Sequence, residues 1–140
     1  MIVFISWLWA GLIIGISFIA TPAKFLAETP SFGQLLEVGK VTFNTFRYIE
    51  IFLFILLSFY VIRHRKCSLV CRYFLLLLGL LMIAQYGYLL PSLDARVDSL
   101  VQGLTVDPSF VHVAYVVVEL LKLVALLITG MVANRNMRGT

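Results

Sequence analysis

The chain contains 140 residues, of which 61% are hydrophobic and 13% charged, with a formal net charge of +4. A soluble domain of this length has too little interior to cover so much apolar surface, so the composition excludes an ordinary soluble globular protein. Most of the hydrophobic residues fall in four runs, at residues 2–20, 41–62, 73–90 and 110–131. Each run can cross a hydrocarbon core about 30 Å thick as a helix, and none alternates as a membrane strand does.

These runs predict an all-α fold, a four-transmembrane-helix bundle in a single integral membrane domain, 1–140. The predicted helices cover residues 2–27, 32–62, 71–102 and 108–132. The alternative for the first run is a cleaved signal peptide, because Thr21-Pro22-Ala23 resembles a small-residue cleavage site. A membrane helix is preferred, since no Lys or Arg precedes the run and the run is longer than a signal sequence requires.

Basic residues are concentrated in the loop between the second and third helices and in the C-terminal tail: Arg63, Arg65, Lys66, Arg72, Arg135 and Arg138. The other two loops carry most of the acidic residues. The positive-inside rule therefore predicts cytoplasmic termini and a cytoplasmic middle loop, in a bacterial inner (plasma) membrane. The basic loop could also bind nucleic acid or anionic lipid, but a topology signal explains it more simply. The expected partners are the lipid bilayer and a homo-oligomer or larger membrane assembly, with no nucleic acid.

The first helix contains Trp7 and Trp9 near its start, where indole rings favour the membrane interface. Gly11 and Gly15 form a small-xxx-small pair that predicts a helix-packing face. After the break at residues 29–31, Ser31 followed three residues later by Gln34 predicts the start of the second helix.

The second helix carries Asn44, Arg47 and Glu50 along one face, at a depth where a solvated extension cannot explain them. In the third helix Gln85 can hydrogen-bond to a neighbouring helix, and Tyr86 fits an interfacial aromatic belt. After Pro91, residues 92–102 form an amphipathic extension of the third helix or a surface helix. Asp107-Pro108 then predicts the start of the fourth helix.

The fourth helix carries charge where lipid would be expected. His112, Tyr115, Glu119 and Lys122 follow one another at intervals of three, four and three residues, so they share an arc of about 80°. Because a charged residue at the bilayer centre costs about 2.5–3.5 kcal/mol on insertion scales, this helix needs polar partners. The second helix can supply these partners. It crosses the membrane in the same direction as the fourth, so the polar residues of the two helices lie at similar depths. The hypothesis is that Arg47 pairs with Glu119 and Glu50 with Lys122, alongside local Arg47–Glu50 and Glu119–Lys122 contacts.

The predicted buried polar seam therefore contains Asn44, Arg47, Glu50, His112, Tyr115, Glu119 and Lys122. One interpretation is structural, because polar groups in lipid determine which helices pair. The other is a proton or ion path, because intramembrane acids with a histidine at the mouth are typical of one. A carrier needs a cavity that reaches the seam, whereas a structural seam should be dry and fully paired.

No cofactor or metal is expected. A haem would need axial histidines, and His112 is the only intramembrane histidine, so a homo-oligomer would have to supply the second. Cys67 and Cys71 with His64 nearby are weak support for a metal site, and the cytoplasm disfavours a disulfide there. No nucleophile–base pair or phosphate loop is present, so the sequence predicts that the protein is not an enzyme.

Several motifs resemble the transmembrane-protein-205-like family of small four-helix membrane proteins. They are a glycine-bearing first helix with a Phe/Pro turn (residues 11–25), Ser31-Phe32-Gly33, Tyr88-Leu89-Leu90-Pro91, and Phe110 to His112. The resemblance implies the fold and a membrane location but no molecular activity. The leading interpretation is a non-enzymatic membrane component or complex subunit with a buried charged seam. The alternative is a proton-coupled or small-solute carrier that uses Glu119 and His112.

Overall fold

The computed structural model describes residues 1–63, 68–106 and 109–138, which form four long helices and contain no strand. Helix α1 spans Ile2–Leu26, α2 spans Phe32–Arg63, α3 spans Leu69–Val101 and α4 spans Val111–Arg138. All four are long and apolar enough to cross a membrane. The all-α, four-helix membrane fold is therefore confirmed, whereas the cytoplasmic location of the termini stays a prediction.

The helix ends differ from the predicted ones by a few residues. Helix α3 begins at Leu69, directly after Ser68 in an extended conformation, and α4 continues to Arg138 rather than ending at residue 132. The predicted start of the fourth helix at Asp107-Pro108 lies outside the described residues. The possible ligands His64 and Cys67 also lie outside them.

Helix α2 starts with the predicted capping box. The Ser31 amide donates to Gln34 Oε1 at 2.8 Å, and the Gln34 amide donates to Ser31 Oγ at 3.4 Å. Each side chain thus satisfies a backbone donor that a helix start leaves free. The predicted amphipathic segment after Pro91 continues α3 without a break as far as Val101.

The four helices form a ring. Close backbone contacts join α1 to α4, α4 to α3, α3 to α2 and α2 to α1. Helices α2 and α4 therefore lie across the bundle from each other, as do α1 and α3. The centre is filled by fully buried side chains, among them Ile13, Leu57, Leu78 and Leu126. Large apolar side chains such as Phe52 point outward, as expected for a bundle surrounded by lipid.

Helices α1 and α3 each contain a π-helical segment, at Ile14–Ala20 and Gln85–Leu89. Pro22 and Pro91 follow these segments within two residues. A proline inside a helix has no N–H to donate and its ring crowds the preceding turn, so the turn before it widens. In α1, the Ile16 carbonyl accepts the backbone N–H of Thr21 and also the Thr21 Oγ1 hydroxyl at 2.8 Å. The two widened turns set the direction of the polar side chains described below.

The glycines that bring helices together are not the predicted pair. A Cβ atom added to Gly11 or Gly15 would have no atom of the described residues within 4 Å, so in this part of the chain the small-xxx-small pair makes no close helix contact. A Cβ added to Gly130 of α4 would lie 3.0 Å from Trp7 Nε1 and 3.4 Å from Ser6 Cβ. The close approach between α1 and α4 therefore depends on Gly130.

We expect Gly130→Val to lower the free energy of unfolding by about 1–3 kcal/mol, because the added methyl groups overpack the contact with α1. Thermal and denaturant unfolding in detergent micelles would measure the change. Gly11→Val is the matched control, since it makes the same exchange at a position where a Cβ meets no described atom within 4 Å, and should stay within about 0.5 kcal/mol of the parent. Equal losses in the two variants would contradict the proposed contact.

Candidate functional site

Glu50 lies at the centre of the bundle and is fully buried. Its Oε1 accepts a hydrogen bond from Trp9 Nε1 at 2.7 Å, and its Oε2 accepts one from the Tyr86 hydroxyl. Lys122 Nζ lies 2.7 Å from Oε1 and 2.8 Å from Oε2. These partners come from α1, α3 and α4, so a single carboxylate of α2 is bonded to all three other helices.

Lys122 joins the two acidic residues of the site. Its ammonium group contacts both oxygens of Glu50 and lies 3.0 Å from Glu119 Oε1, one turn earlier on α4. An ammonium group has three N–H donors, and these three contacts use them all. Because Lys122 is fully buried, its charge depends on these carboxylates rather than on water.

Glu119 is bonded unequally on its two oxygens. Oε1 accepts from Gln85 Nε2 at 2.5 Å and contacts Lys122, whereas Oε2 has a long contact of 3.4 Å with Ser17 Oγ. Ser17 and Gln85 lie in the two π-helical segments, so the widened turns of α1 and α3 aim both groups at the same carboxyl. Among the described residues, Gln85 Oε1 is buried with no hydrogen-bond partner. The polar contacts of this half of the site are thus incomplete.

A cavity of about 400 Å³ reaches Glu119 from the predicted outer end, where α1 ends and α4 begins. Its lining comes from α1, α2 and α4: Ser17, Phe18, Thr21, Pro22, Phe25, Phe43, His112, Tyr115, Val116 and Glu119. Phe25 and His112 are exposed, whereas Glu119 is 1% exposed. The carboxyl group therefore lies at the closed end of a cavity lined by four Phe and Tyr rings, and the histidine lies at its mouth.

The site has two halves that differ in accessibility. The sealed half contains Glu50, Trp9 and Tyr86, and the open half contains Glu119 and Ser17, with Lys122 between them. Two carboxyl groups share one ammonium group. When all three groups are ionised, one negative charge has no partner within the cluster.

The structure brings together three of the predicted charged residues. The Glu50–Lys122 and Glu119–Lys122 contacts are confirmed. The Arg47–Glu119 pairing is wrong: half-buried Arg47 donates to the Tyr48 hydroxyl at 3.1 Å and stacks on that ring. The contacts of Glu50 are with Trp9, Tyr86 and Lys122, so the local Arg47–Glu50 contact is also wrong.

The remaining predicted residues occupy three different places. Tyr115 is buried beside Glu119 and packs edge-on against Phe43, with ring centroids 5.3 Å apart. Asn44 is half-buried nearer the outer end, where its amide donates to Asp94 Oδ2 at 2.8 Å. His112 is exposed at the cavity mouth rather than buried in the seam.

Sequence reasoning missed three residues of the site. Trp9 is completely buried and bonded to Glu50, although its position near the helix start suggested the interface. Tyr86 bonds to Glu50 instead of lying in an aromatic belt, and Ser17, which has no part in the predicted seam, contacts Glu119. The available signal was Pro22 and Pro91, because a proline within an apolar run indicates a distorted turn whose neighbours change direction. Gln85 makes the interhelical bond expected of it.

No protein-family model, curated protein or solved structure matches the chain. The resemblance to the transmembrane-protein-205-like family therefore stays a prediction, and function has to be argued from the site itself.

We expect Lys122→Met to lower the free energy of unfolding by about 3–5 kcal/mol, because it leaves Glu50 and Glu119 buried without a cation. Adding Glu50→Gln to Lys122→Met should recover part of the loss. Unfolding titrations in mixed micelles would measure both changes.

Arg47→Met is the matched control for the loss of a cation. It removes a half-buried cation–π contact and should cost about 1 kcal/mol or less. An Arg47 variant as unstable as the Lys122 variant would contradict the assignment of Lys122 as the central cation.

Proposed function

We propose that this integral membrane protein is a non-enzymatic, proton-coupled carrier of a small solute, with Glu119 as its proton site. The observation that carries the proposal is the cavity lined by Glu119, whose Oε2 accepts a long hydrogen bond of 3.4 Å from Ser17 Oγ. An intramembrane acid at the end of a cavity is the usual element of a proton path or a coupled site.

The charge of the cluster favours the exchange of one proton. With Glu50 and Lys122 paired in the sealed half, a proton on Glu119 makes the cluster neutral and its release restores one negative charge. The cavity supplies the access from one side that a carrier uses in one of its conformations. Glu50 has no such access, because its oxygens are occupied by Trp9, Tyr86 and Lys122.

Gln85 suits a carboxyl group that changes its protonation state. Its amide N–H donates to the ionised form of Glu119, and its unused carbonyl oxygen can accept from the protonated form after the amide turns over. The two π-helical segments support the same interpretation, since such segments occur frequently at functional sites. Gln85 can therefore hydrogen-bond to Glu119 in both the ionised and the protonated state.

The proposed orientation places both termini in the cytoplasm of a bacterial plasma membrane. Arg63, Arg72 and Arg135 lie at the end of the bundle that carries the N-terminus. Glu28 and Glu37 lie at the opposite end, so the distribution follows the positive-inside rule. In this orientation the cavity opens on the outer side.

A second candidate is a structural component of a homo-oligomer or larger membrane assembly. The saturated contacts of Glu50 favour it, because a carboxylate bonded to three other helices fixes their packing without any exchange. On this interpretation, Glu119 would only complete the same network. The two candidates differ in what the loss of the Glu119 charge does.

We expect liposomes that contain the wild-type protein to dissipate a pH gradient faster than empty liposomes, and Glu119→Gln to return the flux to background. The amide cannot release a proton, although it keeps the shape of the side chain. Proton flux measured with an internal pH-sensitive dye, together with thermal melting in detergent, would test the prediction.

Glu37→Gln is the matched control, because Glu37 is an exposed acid of α2 and is not among the residues that line this cavity. Its flux should equal that of the wild type. No flux in any of the three proteins, with Glu119→Gln melting well below the others, would favour the structural component and contradict the carrier.

A further inference from the structure

We propose that the cavity beside Glu119 binds a small organic monocation of the ammonium type, with the Glu119 carboxylate as its counter-ion. This inference rests on the proposed function of the site and adds the class of solute. Two observations carry it: the uncompensated negative charge at the closed end of the cavity and the aromatic rings that line its sides.

The carboxylate of Glu119 at the closed end of the cavity can be neutralised by one positive charge. Lys122 is shared by Glu50 and Glu119, so ionised Glu119 presents to the cavity a charge that the cluster does not neutralise. Its Oε2 accepts a long hydrogen bond of 3.4 Å from Ser17 Oγ, whereas both oxygens of Glu50 contact the ammonium group. A bound monocation would make the buried cluster neutral, which a bilayer strongly favours.

The side walls suit an organic cation. Phe18, Phe25, Phe43 and Tyr115 all line the cavity. Ammonium groups are attracted to the faces of aromatic rings, and protein sites for quaternary ammonium ligands are built from such rings. One of these rings already receives a cation, since Lys24 Nζ lies 4.9 Å from the Phe25 ring centroid.

The size and chemistry of the cavity also favour this class. Its volume of about 400 Å³ lies within the range of about 300–1,000 Å³ found for small-molecule sites. A hard metal ion takes several oxygen ligands, whereas most of this lining is carbon. A neutral solute would leave the charge on Glu119 unpaired.

Binding then exchanges one cation for another. The O–H bond of protonated Glu119 breaks, the proton leaves to solvent, and the organic cation takes its place as the ionic partner of the carboxylate. One positive charge enters as one leaves, and nothing is oxidised or reduced. The coupling between proton and solute follows from this competition for one carboxylate.

The probe for the test is benzyltrimethylammonium, whose charge does not change with pH. Its uncharged carbon isostere, neopentylbenzene, is the matched ligand control. We expect saturable binding of the cation to the full chain in dodecyl maltoside micelles, measured by calorimetry. Glu119→Gln should weaken cation binding about thirtyfold or more, because it removes the buried counter-ion, and leave binding of the isostere unchanged.

The pH dependence gives a second readout. If one proton is displaced, cation affinity should rise about tenfold per pH unit while the free site holds its proton, and proton release should match the amount of cation bound. The titratable groups that face Glu119 are Lys122, Tyr115 and His112 on α4, Glu50 on α2 and Tyr86 on α3. The series is repeated with His112→Gln, because a slope that comes from Glu119 does not depend on the histidine at the cavity mouth.

Phe18→Leu keeps the test decisive if Glu119→Gln fails to fold. Loss of a lining ring should weaken cation binding severalfold and change binding of the neutral isostere less. Phe4→Leu is its matched control, because Phe4 is an exposed ring of the same helix and lies away from the cavity.

Equal affinities for the cation and its isostere, or cation binding that survives Glu119→Gln in a folded protein, would overturn the proposal. Cation binding that depends on Glu119, without proton flux in liposomes, would leave the ligand site standing and contradict the carrier. Glu119-dependent proton flux without cation binding would have the opposite meaning, because the carrier would stand and its solute would belong to another class.

Discussion

The contact between Glu50 and Lys122 is the interaction on which this bundle depends. It joins α2 to α4 across the ring of helices, where these two helices lie opposite each other. Trp9 and Tyr86 reach the same carboxylate from the other two helices, so the polar centre is also the point where all four meet. In lipid the hydrophobic effect does not drive helices together, so such a centre decides which helices pack and in which register.

This arrangement separates stability from reactivity within one cluster. The sealed half holds a carboxylate whose bonds are all made, and the open half holds a carboxyl group that faces a cavity on one side. Lys122 contacts the carboxyl groups of both halves, so a change of charge at Glu119 alters the electrostatic interactions of the ammonium group that also binds Glu50. This short chain therefore places a candidate site and its structural support side by side in one cluster, with Lys122 common to both.

The four helices and the Glu50–Lys122 contact could be predicted because apolar length and the spacing of charges are directly visible in a sequence. The partner of Arg47 could not be predicted. Arg47 lies one turn nearer the start of α2 than Glu50, and its long side chain turns outward to Tyr48. Trp9 was assigned by the average preference of indole for interfaces, which a specific buried acceptor overrides. Ser17 and Gln85 lie in turns whose periodicity differs from 3.6 residues, so a regular helical projection misplaces them.

The separation of the central pair along the chain has a consequence for biosynthesis. Glu50 and Lys122 are 72 positions apart, in the second and fourth helices. While the chain is being made, three helices enter the membrane before the cation of the central pair exists. The nascent protein therefore holds Glu50 without its cationic partner until the fourth helix arrives, and a chain that stalls before that point lacks the central ion pair. The last helix to be inserted supplies the cation of the central pair as well as part of the packing, so the same contact distinguishes assembled from unassembled protein.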